Sequence, residues 1–188
     1  MTVTASSGTL ADYTGTWQLD AAHSRIGFSA RHAMVTTVRG SFEEFEGSIH
    51  LGEDGLAGSA ADLRVSTASI TTGNDDRDAH LRSAEFLDVE SIPSMTFTST
   101  AVRPTGETTF VVVGDLTIRG TTRQVEIEAE LEGVSADPFG NDRIGFSGRT
   151  VIRRKEFGLV WNVALETGGV LVSDKVTIEL DVSAIKQA

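Results

Sequence analysis

The chain has 188 residues, 39% hydrophobic and 23% charged, the balance of one ordinary globular domain. Its formal net charge of −11 argues against nucleic acid and against docking on anionic lipid through net charge alone, although a local basic patch stays open. Cysteine is absent, which excludes disulfides, thiolate metal sites and cysteine nucleophiles, and 19 Gly against 3 Pro suit turns and bulges better than long helices.

The opening stretch, Met1 to Thr14, has no basic start and no apolar run of signal-peptide length. It reads as a flexible segment ahead of one β domain over 15–188, and the chain is expected to be cytoplasmic. No later stretch reaches the ~18–20 apolar residues of a membrane span.

From Thr16–Asp20 onward the dominant pattern alternates with period two, the signature of half-buried strands. Ile26, Phe28 and Ala30 share one phase against Arg25, Ser29 and Arg31. Phe42 is followed by Phe45, Gly47, Ile49 and Leu51, with a slip at Glu43-Glu44 of the kind a β-bulge makes. Ala61, Leu63 and Val65 come next, then Met95, Phe97, Ser99 and Ala101, then Phe110, Val112, Gly114, Leu116 and Ile118. The clearest inside/outside strand sets Val125, Ile127, Ala129 and Leu131 against Glu126, Glu128, Glu130 and Glu132. Ile144, Phe146 and Gly148 carry another, and Val176, Ile178, Leu180 and Val182 the last.

Gly52-Glu53-Asp54-Gly55, Arg103-Pro104-Thr105-Gly106 and Arg119-Gly120-Thr121 separate these runs as hairpin turns do. Gly133–Asn141 reads as a wider loop. About eight or nine strands result. Their edges are removed by closing a barrel or folding a sandwich, and long alternating runs favour the barrel.

Two segments break the rhythm. Asn74 is placed to cap a short helix over Asp75–Ser83, with Asp78 and Arg82 spaced to pair. The stretch Glu156–Ser173 is too apolar for an exposed loop, and the barrel interior is its expected place.

Candidates for chemistry are sparse. His23, His32, His50 and His80 form no ligand pair, so no metal is assigned. Asp78 and His80 stand two apart, on different faces of a helix, which weakens a proton-transfer reading; sealing of a barrel end through caps and ion pairs fits better. There is no nucleophile elbow and no glycine-rich phosphate loop. The 9 Phe and 2 Trp against 1 Tyr suit a dry interior. Plain core packing explains any one Phe equally well; the case for a cavity is collective, with Gly114 and Gly148 on the same inward phases.

Several motifs, in order, carry a resemblance. They are Trp17–Ser24, Phe28-Ser29-Ala30-Arg31-His32, the Asn74–Arg82 helix, Phe86-Leu87-Asp88-Val89, Pro93–Phe97, Gly114–Gly120 and Arg154–Leu159. Together, from about Thr16 to Lys186, the chain resembles the YceI-like family of bacterial polyisoprenoid-binding, lipocalin-like proteins. It departs where relatives often have Asn-Arg-x-Asp before Phe-Gly: here Arg153-Arg154-Lys155-Glu156 adds positive charge.

The resemblance implies a mainly β fold, a single antiparallel eight-stranded lipocalin-like barrel with short helices at its ends. It also implies a polyisoprenoid or other long apolar ligand and a homodimer, with no nucleic acid and no integral membrane segment. Many relatives are periplasmic. The expected lining is Phe28, Phe42, Phe97, Phe110, Val112, Leu116, Phe146, Phe157, Leu159, Trp161 and Leu165. The expected function is non-catalytic binding, transport or storage of an isoprenoid, with no cofactor and no catalytic residue. The alternatives are an enzyme acting on a lipid head group at the barrel mouth, through His23, His32, Asp78 or His80, and a filled barrel acting through a partner surface.

Overall fold

Eleven strands and one short helix make up the computed structural model, which describes residues 10–188. The strands are β1 (Gly15–Leu19), β2 (Arg25–His32), β3 (Thr36–Phe42), β4 (Phe45–Gly52), β5 (Gly55–Ser66), β6 (Ile70–Thr71), β7 (Ser94–Pro104), β8 (Thr109–Ile118), β9 (Thr121–Ala136), β10 (Asp142–Arg153) and β11 (Val172–Lys186). The helix, α1, spans Asp75–Arg82.

Eight strands form a closed antiparallel ring in the order β1-β4-β5-β7-β8-β9-β10-β11. β1 completes it by pairing with β4 on one side and β11 on the other, with Trp17 opposite Ile49 and Lys186. Closure leaves the ring no free edge strand. β11 is shared along its length: its last residues pair with β1, and its first two-thirds pair with β2. The β2–β3 hairpin, with β6 on its outer edge, therefore extends the wall beside one end of the ring.

Alternation decides which side chains face inward. Along β9, Val125, Ile127, Ala129 and Leu131 are half-buried, while the four intervening glutamates are exposed. The slip expected at Glu43-Glu44 is the break between β3 and β4. β8 and β9 are joined by a two-residue turn with φ of 49° at Arg119 and 73° at Gly120, the left-handed pair that suits the twist of a hairpin. The wide loop expected over Gly133–Asn141 is shorter, because β9 runs on to Ala136. The Asp137 carboxylate tightens the rest by accepting from the amides of Phe139 and Asn141, the Asn141 side chain and Arg143 Nε. Arg143 also reaches Asp20 Oδ2 at 2.7 Å. Asn141 first, and Arg143 with it, hold the Asp137 carboxyl well below the usual carboxylate range.

The apolar side chains gather into two clusters. One, around Trp17, Leu51, Phe110, Ile144 and Phe146, fills one end of the ring. Leu10, in a 3-10 turn over Leu10–Tyr13, is buried in it, and Trp17 Nε1 donates to the Tyr13 carbonyl at 3.0 Å. The rest of the segment expected to be flexible, residues 1–9, lies outside the described residues. The other cluster, around Phe42, Val65, Leu87, Ile118, Ile152 and Phe157, fills the opposite end.

The helix forms where the sequence placed it, with Asn74 Oδ1 accepting from the Arg77 amide. Its expected Asp78–Arg82 pair does not form. Asp78 is buried and accepts from the Thr72 amide and hydroxyl, while Arg82 donates to the carbonyls of Ala68 and Ile70. The peptide groups beside β6 offer these side chains closer partners than either offers the other.

Candidate functional site: the barrel interior

Between the two clusters lies a cavity of about 180 Å³. Its wall is built from alternate side chains of the ring: Ile49 and Leu51 of β4, Leu63 and Val65 of β5, Phe97 of β7, Phe110, Val112 and Leu116 of β8, Ile127 and Ala129 of β9, Phe146 of β10, and Ile178, Leu180 and Val182 of β11. One acid, Asp62, borders the cavity; it is exposed and its carboxylate accepts from Ser48 Oγ at 2.6 Å. The interior is thus an apolar space.

Glycine makes room where rings approach the wall. A Cβ on Gly114 would collide with the Phe97 ring, and one on Gly40 with the Phe28 ring. Phe110 and Phe146, on the two strands that flank β9, meet edge to face at 5.8 Å on the cavity wall.

The wall is not laddered throughout. β5 and β7 pair only from Asp62 opposite Thr98 to Ser66 opposite Ser94, although both strands continue past Asp62 and Thr98. Beyond that point the Ala61 amide donates to Ser99 Oγ rather than to a peptide carbonyl. Five successive β5 residues, Ser59 to Leu63, border the cavity about that point, whereas β8, β9 and β11 contribute alternate ones. β9 and β10 likewise part beyond Glu128 opposite Arg149, where Thr150 Oγ1 donates to the Glu126 carbonyl.

Five of the eleven residues expected to line the interior do so: Phe97, Phe110, Val112, Leu116 and Phe146. Phe28 and Phe42 pack on each other at 5.6 Å under the β2–β3 hairpin, within the core cluster. Phe157 and Leu159 are buried in the same cluster and close that end. Trp161 and Leu165 are half-buried outside the cavity. The aliphatic lining, from Leu19 and Ile26 to Val182, sits on the same inward phases as the aromatics, so period-two alternation marks it as clearly.

The expectation that Glu156–Ser173 enters the barrel holds only for its first part. Val160 is 61% exposed and Val163 46%. The divider is Arg154, which is buried and donates to four backbone carbonyls, those of Leu159, Trp161, Val172 and Ser173. A guanidinium presents its donors in a fixed planar fork, so it can gather several carbonyls where an ammonium cannot. Burial pushes the Arg154 pKa below the usual arginine value, against the pull of the Asp174 carboxylate. The segment beyond Leu159 is therefore folded back on β11 outside the ring.

The polar candidates do not converge. His23 pairs with Asp20 at 2.7 Å, and Asp20 also takes Arg143. His50 faces the Thr16 hydroxyl at 3.4 Å, and His32 is exposed in the β2–β3 hairpin. The His80 ring sits edge-on to Phe86 and Trp161, with its Nε2 on Glu85. Among the described residues no group of three or more His, Asp or Glu is placed to hold a metal, and no helix is long and apolar enough to cross a membrane.

The family described as YceI-like domain matches residues 17–184 of the chain. A UPF0312 protein of Pectobacterium carotovorum is 34% identical over 187 residues, covering 100% of this chain and 93% of the relative. A UPF0312 protein of Staphylococcus epidermidis is 36% identical over 164 residues, covering 87% and 93%. Among solved structures, BcnA of Burkholderia cenocepacia superposes with a TM-score of 0.75 at 23% identity, covering 88% of this chain and 98% of its own. A polyisoprenoid binding domain from Saccharophagus degradans, implicated in plant cell wall breakdown, superposes with a TM-score of 0.70 at 18% identity, covering 91% and 98%.

Proposed function

The chain belongs to the YceI-like domain family, and from that premise we propose that it binds, without catalysis, the apolar tail of a long isoprenoid or similar amphiphile inside its barrel. The observation that carries the reading is the cavity itself, apolar and walled by alternate side chains of a closed ring. The polyisoprenoid binding named for one structural relative points the same way.

The size of the cavity sharpens the proposal. At about 180 Å³ it is close to the roughly 150 Å³ apolar void that stays dry and takes up benzene. It holds a short stretch of tail as it stands. A longer tail enters as the Phe110 and Phe146 rings, which meet on one side of the wall over β9, turn aside. Each buried CH₂ contributes ~0.8 kcal/mol, and the ordering of a flexible chain offsets part of the sum.

The test is native mass spectrometry of the freshly purified protein, with solvent extraction, followed by titration with isoprenoids of rising chain length. The expected result is a co-purifying or rebound amphiphile, whose affinity falls when Val112→Phe and Ala129→Phe fill the space. A protein that is empty from every host and takes up no isoprenoid or fatty amphiphile refutes the reading. Incubation with polyprenyl phosphates and quinones is expected to return them unchanged; a product would move the assignment to an enzyme.

A further inference from the structure

Both ends of the ring are filled, one by the cluster around Trp17 and the other by the cluster around Phe157, which leaves the side wall as the way into the cavity. Two stretches of that wall lack a peptide ladder, the β5–β7 seam past Asp62 and Thr98 and the β9–β10 seam past Glu128 and Arg149. At the β9–β10 seam the cavity meets only inward-phase residues, Val125, Ile127 and Thr150, and Thr150 Oγ1 bridges the strands to the Glu126 carbonyl. At the β5–β7 seam it meets the unbroken run Ser59 to Leu63, in which Ala60 and Asp62 are exposed. Thr96 and Ser147 are outward residues that also border the cavity, but each is laddered to a strand on both sides. The mouth is therefore the β5–β7 seam.

The rim of this mouth is acidic. In the last rung of the β5–β7 ladder Asp62 stands opposite Thr98, and Thr98 in turn stands opposite Asp115 on β8, so two carboxylates flank one threonine on the outer face. Both acids are exposed, and neither joins an ion pair among the described residues. The β4–β5 turn adds Glu53 and Asp54. The bases nearby are already answered: Arg103 binds Glu126 at 2.7 Å, and Arg64 stands opposite Glu46. His50, opposite Ala60, faces the Thr16 hydroxyl on the side away from the seam. The cavity lining itself holds no Lys, Arg or His among the described residues. What the seam offers a ligand is neutral. Ser59 is part of the lining, and Ser99 Oγ receives the Ala61 amide at 2.8 Å and has no other partner among the described residues, so its own proton is free to be donated.

We infer that the β5–β7 seam is where the head of the amphiphile rests, and that it selects an uncharged head group, an alcohol or a quinone, over a phosphate. The inference rests on the cavity as the site of the tail and adds the class of head. A cavity of about 180 Å³ holds a short stretch of tail, so the head stays close to the rim. A phosphate monoester carries nearly two negative charges at neutral pH, and the repulsion of Asp62 and Asp115 reaches it over a Debye length of ~10 Å at moderate salt. No cation at the rim is left to offset that repulsion. A hydroxyl or a carbonyl meets none of it, and finds serine hydroxyls and unladdered peptide groups to bond.

The experiment titrates the full chain, at low salt, with farnesol and with farnesyl phosphate, which share one tail and differ in the head. Farnesol is expected to bind roughly ten-fold more tightly or better, with the gap narrowing as salt rises. Asp62→Asn with Asp115→Asn is expected to narrow it at constant salt. Ala60→Arg is the decisive variant: Ala60 is exposed at the rim, so the change adds a cation there, and the phosphate is expected to draw level with the alcohol or overtake it. Denaturant midpoints confirm that each variant is folded, and either variant alone suffices to read the ratio. Equal affinity for the two heads in the parent, or a ratio that neither change moves, overturns this inference and leaves the tail in the cavity. Binding of neither compound overturns both readings together.

Discussion

β9 and the segment from Gly158 to Leu171 are both backbone that must satisfy its peptide groups, and they do so by opposite means. β9 is hydrogen-bonded to β8 along one side and to β10 along half of the other. Its order is distributed over many peptides, and losing any one of them is a small loss. The 158–171 segment has one isolated bridge of its own, Ala164 to Val170, and is gathered mainly by two side chains, the Arg154 guanidinium and the Asn162 amide. The first kind of order tolerates substitution along its outer face. The second concentrates it in a few side chains, Arg154 foremost.

The contrast can be broken most severely at the core residue from which the segment departs. Phe157, 1% exposed immediately before the segment, anchors it in the core cluster. Phe157→Ala is expected to cost about 3–5 kcal/mol, read from the denaturant midpoint. Arg154→Gln comes next, at roughly 2–3 kcal/mol, because it leaves buried carbonyls without donors. Its distinguishing readout is Trp161 fluorescence, which should shift toward a solvated indole before global unfolding. Any comparable outward substitution on β9, such as Glu128→Gln, should leave both signals within about 0.5 kcal/mol of the parent.

A smaller effect tests the ordered turn at the far end of β9. The Asp137 and Asp20 carboxyls are both held below their ordinary pKa, Asp137 chiefly by Asn141 and Asp20 chiefly by Arg143. A depressed folded-state pKa means stability that is present above the ordinary carboxylate range and lost as pH falls through the folded values. Stability should decline below about pH 4, the carboxylate range, and Asp137→Asn should flatten that decline while lowering stability at neutral pH. An unchanged acid limb would remove the network from the account. Smallest of all, Val160→Ser is expected to change stability by less than about 0.5 kcal/mol, since its side chain is already in water.

Residues set down at period two announced the wall, and with it the barrel. A strand has one inner face, so Val125 to Leu131 could be assigned without knowing their neighbours. The partner of each strand was less accessible. Nothing in alternation says that β11 pairs with β1 at one end and β2 along the rest. The short helix was readable from its cap, but the Asp78–Arg82 pair was not a safe inference, because spacing on a helix says nothing of what packs beside it. The 158–171 segment misled for the same reason: its apolar content is high, but it has no period, and the side chain that positions it comes from before the segment. The aromatics drew attention as lining, and Phe28, Phe42 and Phe157 instead make the floor around the cavity. How much space packing leaves over is a small difference between large volumes, and only coordinates give it.

The incomplete seam between β5 and β7 bears on time as well as shape. Past Asp62 and Thr98 the two strands share no peptide ladder, so parting them there severs none. The interior can then exchange its contents by local breathing while the remaining hoops of the ring stay intact, and residence time is uncoupled from the lifetime of the folded state. Amide deuteration should report it directly, with Ala57 and Ser59 exchanging far ahead of Ile127 and Ala129.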